Sequence, residues 1–134
     1  MINFWAILVA ALARMALGAF WFSPSGFGKQ WMHLTGMTQE KMNAAKKGGA
    51  WKPYLIEFIA ALVTAFVLAF LLAGGLNTVL DGAFAGVLLW IGFTAAWTIG
   101  DYTWGGKPKK LFWINAGYQL LAMILMGAIV AAWG

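Results

Sequence analysis

Every lysine in this chain falls in one of two segments, Ser23 to Pro53 and Asp101 to Lys110, and four long apolar stretches alternate with them. The stretches run from about Asn3 to Phe22, Pro53 to Ala73, Asp81 to Gly100 and Leu111 to Trp133. Each is near the ~20 residues that a helix needs to cross a bilayer core. With 63% hydrophobic and only 10% charged residues, against roughly a quarter charged in a soluble domain, a water-soluble fold is hard to sustain. The pattern predicts an all-α polytopic membrane protein with four transmembrane helices, forming a single domain over residues 1–134.

The lysine-bearing loops, about 23–52 and 101–110, are separated by two spans and therefore share one side of the membrane. The positive-inside rule assigns that side to the cytoplasm, which turns both termini outward, in a bacterial-type cytoplasmic (inner) membrane. Neither the connection Gly74 to Leu80 nor the stretch after Leu111 contains a basic residue. Met1 to Phe4 carries no basic side chain either, and positive charge follows the first apolar stretch, opposite to the order of a cleaved signal peptide. The first span is expected to be retained. The net charge of +5 does not imply nucleic acid as a partner, since its lysines flank spans instead of forming a basic face.

Local signals mark the ends of the elements. Pro24 should end the first span at Ser23. Thr38 can cap a short cytoplasmic surface helix with Glu40 in its first turn and Lys46 and Lys47 in its last, followed by Gly48-Gly49. Pro53 suits the first turn of the second span, and Thr78 to Asp81 has capping-box spacing at the start of the third. Of the nine tryptophans, Trp5 and Trp133 would mark the outer boundary, and Trp21, Trp31, Trp51, Trp104 and Trp113 the inner one, where indoles keep their N–H near water. Trp90 falls mid-span, where it reads as packing in preference to a cavity wall.

Helices in lipid associate through close backbone approach, so lines of small residues identify contact faces. The first span presents Ala6, Ala10, Arg14 and Gly18; the second presents Glu57, Ala61, Ala65, Ala69 and Ala73. The third, with Gly82, Gly86, Gly92, Ala96 and Gly100, is expected to pack centrally.

Arg14 is the sharpest anomaly. It lies eight residues from the inner end of its span, roughly 12 Å into the membrane by helical rise. Glu57 lies at a similar depth in the next, antiparallel span, so the two are expected to be coupled. Asn115 and Gln119 from the fourth span, with Thr94 and Thr98 from the third, complete a candidate polar cluster. Two readings stand: a substrate or ion pathway, or a buried pair that fixes helix packing. Asp101, near a helix C-terminus, calls for compensation by neighbouring lysines. Lys52, Lys107, Lys109 and Lys110 are candidate contacts for anionic lipid headgroups. Enzyme chemistry is not expected, because His33 is the single histidine, there is no cysteine, and no serine-histidine-acid constellation occurs. No metal or cofactor is called for.

The segment Gly18-Ala19-Phe20-Trp21-Phe22-Ser23-Pro24-Ser25-Gly26-Phe27-Gly28-Lys29-Gln30-Trp31-Met32 resembles small membrane proteins of the family called domain of unknown function 1761, as do Asn3-Phe4-Trp5 and Ile114-Asn115-Ala116-Gly117-Tyr118. The resemblance covers essentially the whole chain and implies four spans, but no activity. Phe22 replaces a tyrosine of that junction, so no role needing its hydroxyl is carried over. Physically, Trp21, Phe22, Ser23, Pro24, Phe27, Gly28, Lys29 and Trp31 read as a membrane-surface junction that anchors the helix, with a ligand-binding mouth as the competing reading. The chain is expected to act as a small transport or channel-like unit, as a homo-oligomer. The alternative is an accessory subunit in a larger membrane complex, binding lipid or partner helices.

Overall fold

The computed structural model describes residues 3–47 and 51–133, and every regular element among them is helical. The elements are α1 (Phe4–Trp21), α2 (Gly28–Thr35), α3 (Gln39–Lys47), α4 (Trp51–Leu72), α5 (Val79–Leu89), a π-helical segment (Trp90–Ala95), α6 (Ala96–Thr103) and α7 (Lys109–Trp133). The helix α5, the π segment and α6 run on as one span, Val79–Thr103, so that four helices are long and apolar enough to cross a membrane, as expected.

Side chains start and stop these helices where the backbone would otherwise be left unpaired. The Asn3 carboxamide oxygen accepts from the amides of Trp5 at 3.0 Å and Ala6 at 3.4 Å. Asn3 Nδ2 also donates to the Trp133 carbonyl at 3.4 Å, tying the two ends of the chain together. The capping box forms, with Asp81 N donating to Thr78 Oγ1 at 3.1 Å and Thr78 N to Asp81 Oδ2 at 3.4 Å. Thr38 Oγ1 accepts from Lys41 N at 3.2 Å at the start of α3. The Gly48-Gly49 stop and the side chain of Lys46 lie outside the described residues. Helix α2 was not expected; it ends on Gly36, whose φ of 75° is a left-handed cap that glycine adopts without strain.

The centre of the bundle is α7, not the third span. Helix α7 packs against α1, α4 and α5, and it buries the largest share of its surface of the four spans, the third the smallest. The core lies in the half away from the lysines, where Ile7, Ala10, Ala65, Leu68, Ala122, Met126 and Val130 are buried together. Small residues on α1 and α4 mark this contact as expected, since Ala6, Ala10, Ala61, Ala65 and Ala69 are all buried. The third span differs because its glycines do two different things. A Cβ on Gly82 would run into the backbone of Gly127, and one on Gly86 into that of Met123, whereas Gly92 and Gly100 face open space. The span therefore crosses α7 closely at one end only.

The π segment falls where the span leaves that crossing. Its wider turn takes in an extra residue and re-aims the side chains beyond it. Trp90 closes the crossing, with Nε1 donating to the Ala116 carbonyl on α7 at 2.8 Å, which is the packing role read from its mid-span position. Beyond it, Phe93, Trp97 and Trp104 are exposed. The lysine-bearing end of the bundle is thereby left open between α4 and α6, which share no extensive contact.

Candidate functional site

At this open end the four spans and the junction line a cleft of about 970 Å³ that is open on one side, bordered by Arg14 from α1, Tyr54 and Glu57 from α4, Thr98, Asp101 and Tyr102 from α6, and Asn115, Tyr118 and Gln119 from α7. Arg14 extends from a line of small residues into a mostly buried position, its side chain 17% exposed. Three groups receive it. Nη1 donates to Thr64 Oγ1 at 3.3 Å, Nε donates to Tyr118 Oη at 3.4 Å, and Nη2 stands 3.7 Å from Glu57 Oε2. Thr64 can accept because its own hydroxyl proton goes back to the Ala60 carbonyl at 2.9 Å. Tyr118 in turn donates to the Arg14 carbonyl at 3.4 Å, so the phenol both accepts from and donates to the same residue.

Glu57 is held differently. Its side chain is 60% exposed and faces the cavity, and its contact with Arg14 is longer than a hydrogen bond. Arg14 and Glu57 form the one ion pair among the described residues. Asn115 Nδ2 donates to Tyr102 Oη at 3.2 Å, joining α7 to α6 across the wall. Thr98 Oγ1 donates to the Thr94 carbonyl at 2.6 Å. Thr94 itself, in the π segment, is not on the cavity wall. Asp101 lines the wall without an ion pair to Lys107, Lys109 or Lys110, against the compensation expected from sequence.

The junction meets the same cavity through Phe22, Gly28 and Trp31. Its fold is a compact turn. The Ser23 carbonyl accepts from the amides of Gly26 and Gly28, both at 3.0 Å, and Ser23 Oγ donates to the Phe20 carbonyl at 2.6 Å. A Cβ on Gly28 would strike the carbonyls of Phe22 and Ser23, which is why the turn needs glycine there. Trp21 anchors the turn to α7, with Nε1 donating to the Ile114 carbonyl at 2.9 Å and its ring 4.6 Å from that of Phe27. Phe22 stands edge-on between Tyr118 at 5.4 Å and Trp31 at 6.0 Å. Anchor and cavity wall are thus adjoining faces of one turn. Pro24 and Lys29 are exposed at its surface, as are Lys52, Lys109 and Lys110 nearby. Lys107 Nζ lies 5.7 Å from the ring centre of Tyr102, and Lys52 Nζ 5.8 Å from that of Trp51.

Sequence reasoning singled out Arg14, Glu57, Thr98, Asn115 and Gln119, all of which line the cavity, and missed the tyrosines. All three tyrosines of the chain, Tyr54, Tyr102 and Tyr118, are on its wall. Their spacing offered a signal: Tyr118 is three residues after Asn115, Tyr102 four after Thr98, and Thr64 two turns after Glu57 on α4.

This geometry sets an expectation for a double-mutant cycle in detergent. The Arg14–Glu57 contact is long and its carboxylate faces an open cavity, so Arg14→Met and Glu57→Gln should couple by less than about 0.5 kcal/mol. Arg14→Met and Tyr118→Phe should couple more strongly, by about 1 kcal/mol. Thermal unfolding of the single and double variants measures both, and a larger coupling to Glu57 than to Tyr118 would contradict the arrangement.

A four-span helical chain with a guanidinium and a carboxylate placed within the apolar length of its helices is a polytopic membrane protein. It belongs to the family described as protein of unknown function (DUF1761), which it matches over residues 5–131, nearly its whole length. No curated protein and no solved structure matches it.

Proposed function

We propose that this chain is a small transport unit that takes its substrate into the cavity at the lysine-bearing end. The observation behind this reading is the cavity itself, large enough for a drug-sized molecule, with charged and polar groups at its wall and the packed core beyond it. A membrane protein stabilised only by helix packing has no need of such a space. The reading places the lysine-bearing side in the cytoplasm of a bacterial-type inner membrane, with both termini outside. Lys52, Lys107, Lys109 and Lys110 then meet anionic headgroups. The unit works as a homo-oligomer, since the gap between α4 and α6 leaves one side of the pathway unwalled by this chain. No step of catalysis is proposed; His33 sits exposed on α2, away from the cavity wall.

A second reading, an accessory subunit of a larger membrane complex, draws on the exposed aromatic side of the third span, where Phe93, Trp97 and Trp104 offer a surface to partner helices. Native purification in mild detergent separates the two. Homo-oligomers that move charge or solute when reconstituted in liposomes are the expected outcome, and a stoichiometric heteromeric partner with inert liposomes would overturn the transport reading. Orientation is checked in intact cells with an impermeant thiol reagent: Asn77→Cys should label, and Thr38→Cys and Lys109→Cys should not.

A further inference from the structure

The geometry points to an apolar organic cation as the ligand of the cavity, held by the carboxylates of Glu57 and Asp101 against aromatic walls. This rests on the reading of the cavity as a ligand site. The first observation is the division of charge along the wall. One guanidinium faces two carboxylates, and they are not equally available. Arg14 is mostly buried, with donors directed to Thr64 and Tyr118. Glu57 is largely exposed and lines the cavity, with a single long contact to Arg14. Asp101 has no hydrogen bond or ion pair through its carboxylate among the described residues. It also stands in the last turn of α6, where the helix dipole adds negative potential, so a cation is the species that would relieve it. The two acids come from different helices, α4 and α6, which share no extensive contact, and both line the space.

The second observation is the wall between them. Tyr54, Tyr102, Phe22 and Trp31 line the cavity, and aromatic rings attract cations through their quadrupole. The ammonium of Lys107 lies 5.7 Å from the Tyr102 ring centre, within the range of such contacts. Such walls favour a cation that sheds little water. A hydrated metal ion is a poor match, because no group of three or more histidine, cysteine or acidic side chains that could hold one occurs among the described residues. An anion would meet the carboxylates of Glu57 and Asp101 on the same wall as the one guanidinium, and two like charges there oppose it. The volume of about 970 Å³ leaves room for several rings.

Tetraphenylphosphonium and tetraphenylborate nearly match in size and shape but differ in sign, so their comparison removes apolar partitioning from the result. Equilibrium dialysis against the purified full chain in lipid nanodiscs should give saturable binding of the phosphonium and only non-saturable uptake of the borate. Glu57→Gln should weaken phosphonium binding about tenfold, the order for one partly desolvated charge contact. Asp101→Asn should weaken it less, and Glu57→Asp should restore most of the affinity. Asp101 touches no other charged group, so its variant keeps the test valid if Glu57→Gln disturbs folding. Phosphonium binding unchanged in both carboxylate variants would overturn the assignment. Saturable borate binding that is lost in Arg14→Met would also overturn it, while leaving the cavity as a ligand site. Absence of saturable binding of either ion to the folded protein would overturn both the assignment and the reading beneath it.

Discussion

Gly127→Leu is expected to yield no stable, monodisperse protein in mild detergent, and Gly82→Leu the same. At the crossing of α5 and α7 the two glycines lie backbone to backbone. A Cβ on either would be driven into the carbonyl of the other, and a Cβ on Gly82 would also meet the Cβ of Ala131 at 2.7 Å. The atoms in the way are main chain, which cannot step aside by changing rotamer. The helices must separate, and separation costs the dispersion contacts on which helix association in lipid depends. Overpacking by side chains alone typically costs about 1–3 kcal/mol, and a backbone obstruction on the most extensive helix contact of the bundle should exceed that range. Gly92→Leu and Gly100→Leu supply the control, since a Cβ at either position meets nothing within 4 Å. Thermal unfolding followed by size-exclusion chromatography should rank the Gly82 and Gly127 variants far below the other two. Equal stability of all four would contradict a close backbone crossing of α5 and α7.

The same four glycines mark the boundary of what sequence reveals. Small residues in an apolar helix identify where close approach is possible, but not which partner takes advantage of it. From the sequence, the third span's long run of glycine and alanine pointed to the centre of the bundle. In the structure half of that run meets α7 and half meets nothing, and α7 is central because it offers faces to three neighbours at once. The π segment was not read from the sequence; it begins at Trp90, whose indole bonds to Ala116 on α7. Spans and caps were legible because apolar length and the Thr78–Asp81 pair act locally. Helix α2 was missed because an eight-residue run inside a polar loop is too short for periodicity to register.

The candidate site divides along similar lines. Arg14, Glu57, Asn115 and Gln119 stand out because polar groups in an apolar span are costly and therefore conspicuous. Tyrosines are not conspicuous there, because aromatic residues near span ends read as interface anchors. Tyr54, Tyr102 and Tyr118 were hidden by their ordinariness, although Tyr118 receives Arg14 more closely than Glu57 does. The expected Arg14–Glu57 proximity exists, but its length and exposure reassign most of the guanidinium's stabilisation to neutral hydroxyls.

Trp21→Ala is expected to lower stability by about 3 kcal/mol, at the lower end for aromatic truncation because the side chain is only half-buried. Three contacts would go together. The indole donates to Ile114, packs at a tilt against Phe27, and lies over Gly117, where even a Cβ would come within 3.3 Å of the ring. Trp21→Phe keeps most of the apolar contact and loses the hydrogen bond, for a cost nearer 1 kcal/mol. The Ile114 carbonyl keeps its place in the backbone ladder of α7, so no unpaired acceptor adds to that figure. Reversible unfolding in mixed micelles would measure both variants, and an alanine variant as stable as the parent would show that the junction does not anchor α1. The two should also separate in phosphonium binding. Trp21 is not itself on the cavity wall, but the turn it fastens positions Phe22 against Tyr118, and Tyr118 holds Arg14 beside Glu57. Releasing the turn in Trp21→Ala should therefore weaken binding even at temperatures where the bundle remains folded. Trp21→Phe, still clamped over Gly117, should bind as the parent does; weakened binding in both variants would tie the effect to the indole hydrogen bond instead of to the turn.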